Sequence, residues 1–220
     1  MRVYHFIAEK WAKEALKQKR LKVSNINTLN DPFEFHVGFS KPNRKIINTF
    51  RVWKKEISKE FGILCFSKNW HNPLLWSHYA EKHTGFALGF EIQEDKATKI
   101  TYSKSRPLFK WDGMPRDPIP RQNFLDKLIK TKFVSWKYEE EYRLVYKLNT
   151  LDYEDGFYFQ EFDTNLVLKE VIAGCNSKMS DKEFLNLLDG YTRITAIKSR
   201  MALKKFSIVR NREKVWNINN

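Results

Sequence analysis

The spacing of apolar residues along this chain changes from the two-residue repeat of strands to the 3.6-residue repeat of helices, without a regular alternation of the two. Helical spacing covers residues 8–20, 43–60, 72–83, 124–133 and 180–190. Strand-like runs cover residues 2–7, 21–24, 63–67, 86–92, 138–148, 166–173, 193–197 and 203–209. A doubly wound fold would alternate regularly, so the sequence predicts an α+β fold with a mixed sheet and flanking helices. No repeat or long linker divides residues 1–220, which predicts a single domain.

The charge of the chain favours a polyanionic partner. Lys and Arg number 40 against 26 Asp and Glu, which gives a formal net charge of +14. An excess of this size favours nucleic acid, RNA or DNA, although a generally basic protein would have the same composition. The basic residues are spread along the chain, which is typical of a broad phosphate-facing surface.

The apolar and cysteine patterns indicate a cytoplasmic protein. Glu9 and Lys10 interrupt the first apolar stretch, so no signal peptide is predicted. No apolar run approaches the roughly 20 residues of a membrane span, so we expect no membrane association. Cys65 and Cys175 each lie in an apolar run, which is typical of buried free thiols.

Residues 30–34, Asn-Asp-Pro-Phe-Glu, combine turn-forming residues with an aromatic ring. The side chain of Asn30 or Asp31 can accept hydrogen bonds from the backbone amides that follow it. Two interpretations stay open: a rigid loop anchored by Phe33, or a loop that contacts a ligand.

Residues 76–80, Trp-Ser-His-Tyr-Ala, are followed by His83 and Gly85. On a helix, Trp76, Tyr79 and His83 would lie on one face and could stack on a flat ligand ring, although an aromatic core stripe has the same spacing. A zinc site at His71, His78 and His83 is disfavoured because structural zinc sites usually contain cysteine. We therefore predict no metal site.

Residues 136–143, Trp-Lys-Tyr-Glu-Glu-Glu-Tyr-Arg, end in a strand-like run. On a strand, Glu139, Glu141 and Arg143 would point to one side. Such a run is usually a solvated face, and the alternative is a site in which Arg143 keeps a glutamate ionised.

Together these segments resemble a bacterial family known as a domain of unknown function. The positions that carry the resemblance are residues 30–34, 65–67, 76–80 with His83 and Gly85, 136–143, and Ile172 with Gly174. They extend over most of the chain.

The order of elements more distantly resembles the ADP-ribosyltransferase fold, especially the small toxins that modify nucleic acid. Those proteins begin with a Tyr-His-Phe-like strand, as Tyr4, His5 and Phe6 do here. The resemblance implies that His5 holds the adenosine-side ribose of NAD and that Tyr79 stacks on the nicotinamide. It further implies that Glu141, or its neighbour Glu139, is the catalytic carboxylate. The other predicted cofactor-binding residues are Tyr4, Trp76, His78 and Asn30.

The leading hypothesis is therefore an ADP-ribosyltransferase that uses NAD as co-substrate and acts on nucleic acid, as a toxin or phage-defence effector restrained by a partner protein. The first alternative is a non-enzymatic or nuclease-like nucleic-acid-binding component of a defence system. The second is a structural or interaction domain whose motifs only support the fold. Convergence of His5, Tyr79 and Glu141 on one cleft would favour the transferase.

Overall fold

The computed structural model describes residues 1–39, 43–109 and 118–219. Within these ranges the α-helices are α1 (Glu9–Gln18), α2 (Arg44–Glu60), α3 (Pro73–Tyr79), α4 (Pro118–Lys130) and α5 (Asp181–Asn186). The strands are β1 (Arg2–Ile7), β2 (Arg20–Asn25), β3 (Gly38–Phe39), β4 (Phe61–Ser67), β5 (Phe86–Ile92), β6 (Thr98–Lys99), β7 (Thr101–Ser103), β8 (Leu108–Phe109), β9 (Thr131–Phe133), β10 (Glu141–Lys147), β11 (Asp152–Glu154), β12 (Phe157–Glu161), β13 (Leu166–Ala173), β14 (Ile194–Met201) and β15 (Ile208–Ile218).

Eleven strands form one mixed sheet in the order β11-β12-β2-β4-β1-β5-β13-β14-β15, with β10 alongside β4 and β6 alongside β10. Its pairings are antiparallel except between β13 and β14. Two small parallel pairs, β3 with β8 and β7 with β9, lie outside this sheet. The prediction of an α+β fold with a large mixed sheet and helices is confirmed.

The main sheet divides at β4. One edge of β4 pairs with β10 over its whole length. On the other edge, Gly62 and Ile63 pair with β2, whereas only Ser67 pairs with β1. Glycine is needed at position 62 because a Cβ there would lie 2.5 Å from Val23 Cγ1 and 2.7 Å from Leu148 Cδ2. The strands β1 and β2 therefore separate on one side of β4 and leave an opening between them.

Three apolar clusters hold the elements around this opening. The largest packs α1 and α5 against the sheet, a second packs α2 and α4 against β4, and the third surrounds α3. The second cluster includes Phe50, Trp53 and Leu128, and the third includes Phe6, Trp70 and Trp76. Burial of these side chains fixes the walls of the opening, since packed cores resist displacement.

Several predicted element bounds were wrong. The third helix ends at Tyr79, not at residue 83, because Glu81, Lys82 and His83 adopt positive φ values of 49°, 53° and 71°. The strand predicted over 63–67 begins at Phe61, directly after the second helix, so Gly62 belongs to β4.

Other errors fall in the second half of the chain. The fourth helix begins at Pro118 and ends at Lys130, so the last residues of the predicted helix are strand β9 instead. The predicted strand over 203–209 is mostly an exposed turn, and β15 starts at Ile208. The sequence pattern predicted no regular element between residues 93 and 123, whereas this stretch contains β6, β7, β8 and the start of α4; its residues 110–117 lie outside the described residues.

Within the described ranges, no helix has both the length and the apolar character needed to cross a lipid bilayer.

Candidate functional site

The opening between β1 and β2 is a pocket of about 240 Å³, which we call the cleft. Strands β1, β2, β4, β9 and β10 contribute to its lining, as do α3 and the loop after β2. Six of the eight predicted site residues line it: Tyr4, His5, Asn30, Tyr79, Glu139 and Glu141. Four separate parts of the sequence thus meet around one ligand-sized space.

His5 lies where the sheet divides. Its Nδ1 is 2.9 Å from the carbonyl oxygen of Cys65, a residue of β4 that has no ladder partner on the β1 side in the described chain. Burial lowers the pKa of His5. A neutral imidazole that donates from Nδ1 to this carbonyl retains Nε2 as a hydrogen-bond acceptor for a ligand hydroxyl.

Behind the cleft lies a buried ion cluster, made of Glu34, Lys132, Glu139, Glu141 and Arg143. Lys132 Nζ is 2.5 Å from Glu139 Oε2, 2.9 Å from Glu141 Oε2 and 3.2 Å from Glu34 Oε1. The Arg143 guanidinium pairs with Glu34 and, through Nε at 2.7 Å, with Glu141 Oε1. Three carboxylates face two cations, so the cluster has a formal charge of −1 when all are ionised.

This cluster corrects the interpretation of residues 139–143 as a solvated face. Glu139, Glu141 and Arg143 are all buried, and Arg143 is 0% exposed. The run is not one continuous strand either, because residues 134–139 form a 3₁₀ helix and Glu140 has φ 46°. This local turn directs Glu140 toward solvent and the glutamates on either side of it into the interior.

The pKa values of the two buried carboxyl groups of the cleft shift in opposite directions. Burial raises the pKa of Glu141, but Arg143 and Lys132 outweigh it and lower this pKa to about 2. Burial raises the pKa of Glu139, and Lys132 only partly opposes the shift. When the pKa values of two neighbouring carboxyl groups are shifted in opposite directions, one group can act as a fixed anion and the other can accept and release a proton.

Tyr79 is held against Glu139. Its hydroxyl donates a 2.6 Å hydrogen bond to Glu139 Oε1. Burial and the Glu139 carboxylate raise the pKa of Tyr79, so the hydroxyl stays protonated and continues to donate. The nearby Asn30 side chain partly opposes this rise in pKa. The ring lies at the end of α3, where it forms part of the cleft wall.

Two predicted cofactor-binding residues do not reach the cleft. Trp76 is fully buried in the α3 core, where its Nε1 donates to the Trp70 carbonyl at 2.6 Å and its ring meets Phe6 edge-on. His78 is exposed and stacks on Tyr138 with 6.4 Å between ring centroids. The shared helical face predicted for Trp76, Tyr79 and His83 does not form, because α3 ends at Tyr79.

Lys132 is the functional residue that the sequence reasoning missed. It was assigned to the end of a helix, whereas β9 pairs Lys132 with Tyr102 of β7, and its ammonium group lies 2.9 Å from Glu141 Oε2 of β10. One signal was present in the sequence. If Glu139 and Glu141 are buried with Arg143, a second cation must be near, because unpaired buried charges are strongly disfavoured.

The described residues contain no group of three or more His, Cys, Asp or Glu side chains arranged to hold a metal ion. His71 instead hydrogen-bonds through Nδ1 to the Ile208 carbonyl at 2.7 Å.

The fold and the cleft define an α+β protein with a ligand-sized pocket, lined in part by ionisable side chains, at a division of its sheet. A family model described as a protein of unknown function (DUF2971) matches residues 75–144, about a third of the chain. This match supports the resemblance to a family of unknown function. No curated protein and no solved structure matches the chain.

Proposed function

We propose that this protein is an NAD-dependent ADP-ribosyltransferase that modifies nucleic acid. The observation that carries the proposal is the convergence of His5, Tyr79, Glu139 and Glu141 on the cleft. Its volume of about 240 Å³ is a little below the range of drug-sized ligand sites, which gives room for about half of a dinucleotide.

The chemistry of transfer suits this charge distribution. When the bond between the ribose C1′ and the nicotinamide nitrogen breaks, its electron pair goes to the nicotinamide, and positive charge develops on the ribose, as in glycoside hydrolysis. Glu141 is held ionised by Arg143 and Lys132, so it is a preorganised anion for that charge. The buried ion cluster, which has a formal charge of −1 when all its groups are ionised, also stabilises positive charge on the ribose.

The attacking group of the acceptor must lose its proton as it bonds to C1′. The Glu139 carboxylate is suited to accept it, because its raised pKa makes it a stronger base than an ordinary glutamate. Tyr79 and Lys132 would then position this carboxyl through bonds of 2.6 Å and 2.5 Å. His5 would accept a hydrogen bond from a ribose hydroxyl through Nε2.

The net charge of +14 supports nucleic acid as the acceptor. The same charge favours the second candidate, a nucleic-acid-binding component without transferase activity. An enzyme that consumes NAD and modifies nucleic acid would harm its own cell, so the proposal includes a restraining partner protein.

The test is incubation of the purified chain with labelled NAD and separate pools of RNA, DNA and protein. We expect label on nucleic acid and free nicotinamide, with both reduced about 10²- to 10³-fold in Glu141→Gln. This substitution leaves two carboxylates facing two cations in the buried ion cluster, so the variant should fold. Its thermal unfolding is the control.

A second variant, Tyr79→Phe, removes only a hydroxyl and should lower transfer while binding of NAD is largely kept. A folded wild-type protein that releases no nicotinamide with any acceptor would exclude the transferase and leave the binding component.

A further inference from the structure

A second pocket, of about 260 Å³, lies beside the cleft. Glu34 and Lys132 line both pockets, and Lys132 Nζ is 3.2 Å from Glu34 Oε1. One buried ion pair is therefore shared between them. We call the second one the basic pocket; its distinctive lining residues are Phe33, His36, Lys104, Arg106 and Phe133.

The parallel pair of β7 and β9 builds one side of the basic pocket. Ser103 pairs with Phe133, so both chains leave the pair at the same end. Lys104 and Arg106 lie in the segment that follows β7, and they line the basic pocket together with Phe133. Residues far apart in the sequence thus form one basic and aromatic edge.

The loop of residues 30–34 builds the other side. The Phe33 amide donates to Asp31 Oδ1 at 2.8 Å, and Trp136 Nε1 donates to Asp31 Oδ2 at 2.8 Å. Phe35 then adopts φ 54°, a conformation that is rare for an aromatic residue. This turn places Phe33 and Glu34 on the lining of the basic pocket while Phe35 is buried.

Positive charge dominates the basic pocket. Lys104 and Arg106 are exposed at its edge. Both acidic residues in its lining have partners, since Asp31 accepts from N–H donors and Glu34 pairs with Lys132 and Arg143. Burial lowers the pKa of His36, and the charges of Lys54 and Arg106 lower it further.

Two phenylalanine rings are exposed at this site. Phe33 is 61% exposed and Phe133 is 49% exposed. The Arg106 guanidinium lies over the Phe33 ring, 5.0 Å from its centroid. Exposed rings beside cations are the means by which proteins bind single-stranded nucleic acid, with bases on the rings and phosphates on the cations.

We propose that the basic pocket binds one nucleotide of a single-stranded nucleic acid, with Lys104 and Arg106 at the phosphate and Phe33 stacked on the base. The shared wall of Glu34 and Lys132 then places a neighbouring nucleotide at the cleft. This placement rests on the proposed function, whereas the binding itself requires no NAD and no reaction.

The test measures binding of short labelled single-stranded DNA and RNA to the full chain by fluorescence anisotropy, in the absence of NAD. For Phe33→Ala we expect about tenfold weaker binding, the effect of losing one base–aromatic stack. Arg106→Gln should weaken binding, and it should reduce the magnitude of the slope of log affinity against log salt concentration by about one.

Lys22 and Phe157 are the matched control. Lys22 Nζ lies 3.6 Å from the centroid of the Phe157 ring, and this pair lies on the β2 and β12 side of the sheet. Lys22→Gln and Phe157→Ala remove the same kinds of group away from the basic pocket, so they should leave binding within about twofold of wild type.

Two results would overturn the proposal. One is that the basic-pocket variants and the control variants weaken oligonucleotide binding equally, or that neither pair weakens it. The other is a loss of NAD binding in Phe33→Ala as large as the loss of oligonucleotide binding, which would assign the basic pocket to the dinucleotide. A protein that releases no nicotinamide but shows the expected binding losses would refute the transferase and support the basic pocket.

Discussion

Two tyrosine–glutamate pairs border the cleft, and their surroundings differ. The Tyr79 hydroxyl donates to Glu139 at 2.6 Å, and the Tyr4 hydroxyl donates to Glu170 at 2.8 Å. Both tyrosines line the cleft and both glutamates contact cations. The sequence offers no sign that the two pairs should behave differently.

The two pairs differ in how deeply the cations that contact their glutamates are buried. Glu139 belongs to the buried ion cluster, in which Lys132 and Arg143 have almost no contact with solvent. Glu170 pairs with Arg2 at 3.1 Å and Arg210 at 3.0 Å, whose side chains are 33% and 51% exposed. Water and salt screen the second group, so loss of one cation there should matter far less. The ion pairs around Glu139 should therefore contribute much more to the stability of the fold than the ion pairs around Glu170.

Removal of one cation from each group should give the largest difference in stability between the two groups. Arg143→Met leaves Lys132 alone against three buried carboxylates and should destabilise the fold by about 3–5 kcal/mol. The matched Arg210→Met removes a half-exposed partner and should cost less than about 1 kcal/mol. Urea unfolding of both variants measures the difference, and equal losses would show that burial does not separate the two groups.

The pH dependence of stability should show the contribution of Glu141. Its folded pKa of about 2 lies below the ordinary value of 4.5. Its contribution is therefore complete above about pH 4.5 and is lost as the pH falls toward 2. We expect the unfolding free energy of wild type to decline more steeply over this range than that of Glu141→Gln. Identical slopes in urea titrations at each pH would contradict the assignment.

The smallest effects should come from the tyrosine hydroxyls. Tyr79→Phe deprives a buried carboxyl of a donor and should cost about 1–3 kcal/mol. Tyr4→Phe should cost less than about 1 kcal/mol, because Arg2 and Arg210 still satisfy Glu170 near solvent. Thermal unfolding of the two variants side by side gives the comparison; a larger loss for Tyr4→Phe would reverse it.

Local patterns predicted much of the fold and part of the site. The strand-like runs of residues 2–7 and 86–92 predicted β1 and β5, and the helical spacing over residues 43–60 predicted α2. The resemblance to ADP-ribosyltransferases indicated His5, Tyr79, Glu139 and Glu141 as site residues, and all four line the cleft. Trp76 and His78 were predicted to bind the cofactor but do not line the cleft: Trp76 is buried in the α3 core and His78 is exposed. Residue type and spacing do not reveal which face of a helix is buried.

The sequence by itself determined the α+β class and the basic charge, since both depend on residue type and short-range spacing. Only the tertiary structure decided that Glu139, Glu141 and Arg143 are buried and that Lys132 lies between their carboxylates. The tertiary structure also decided that the sheet divides at β4, because strand pairing joins residues that are far apart in sequence. Burial depends on all the elements that cover a residue, and no local pattern contains that information.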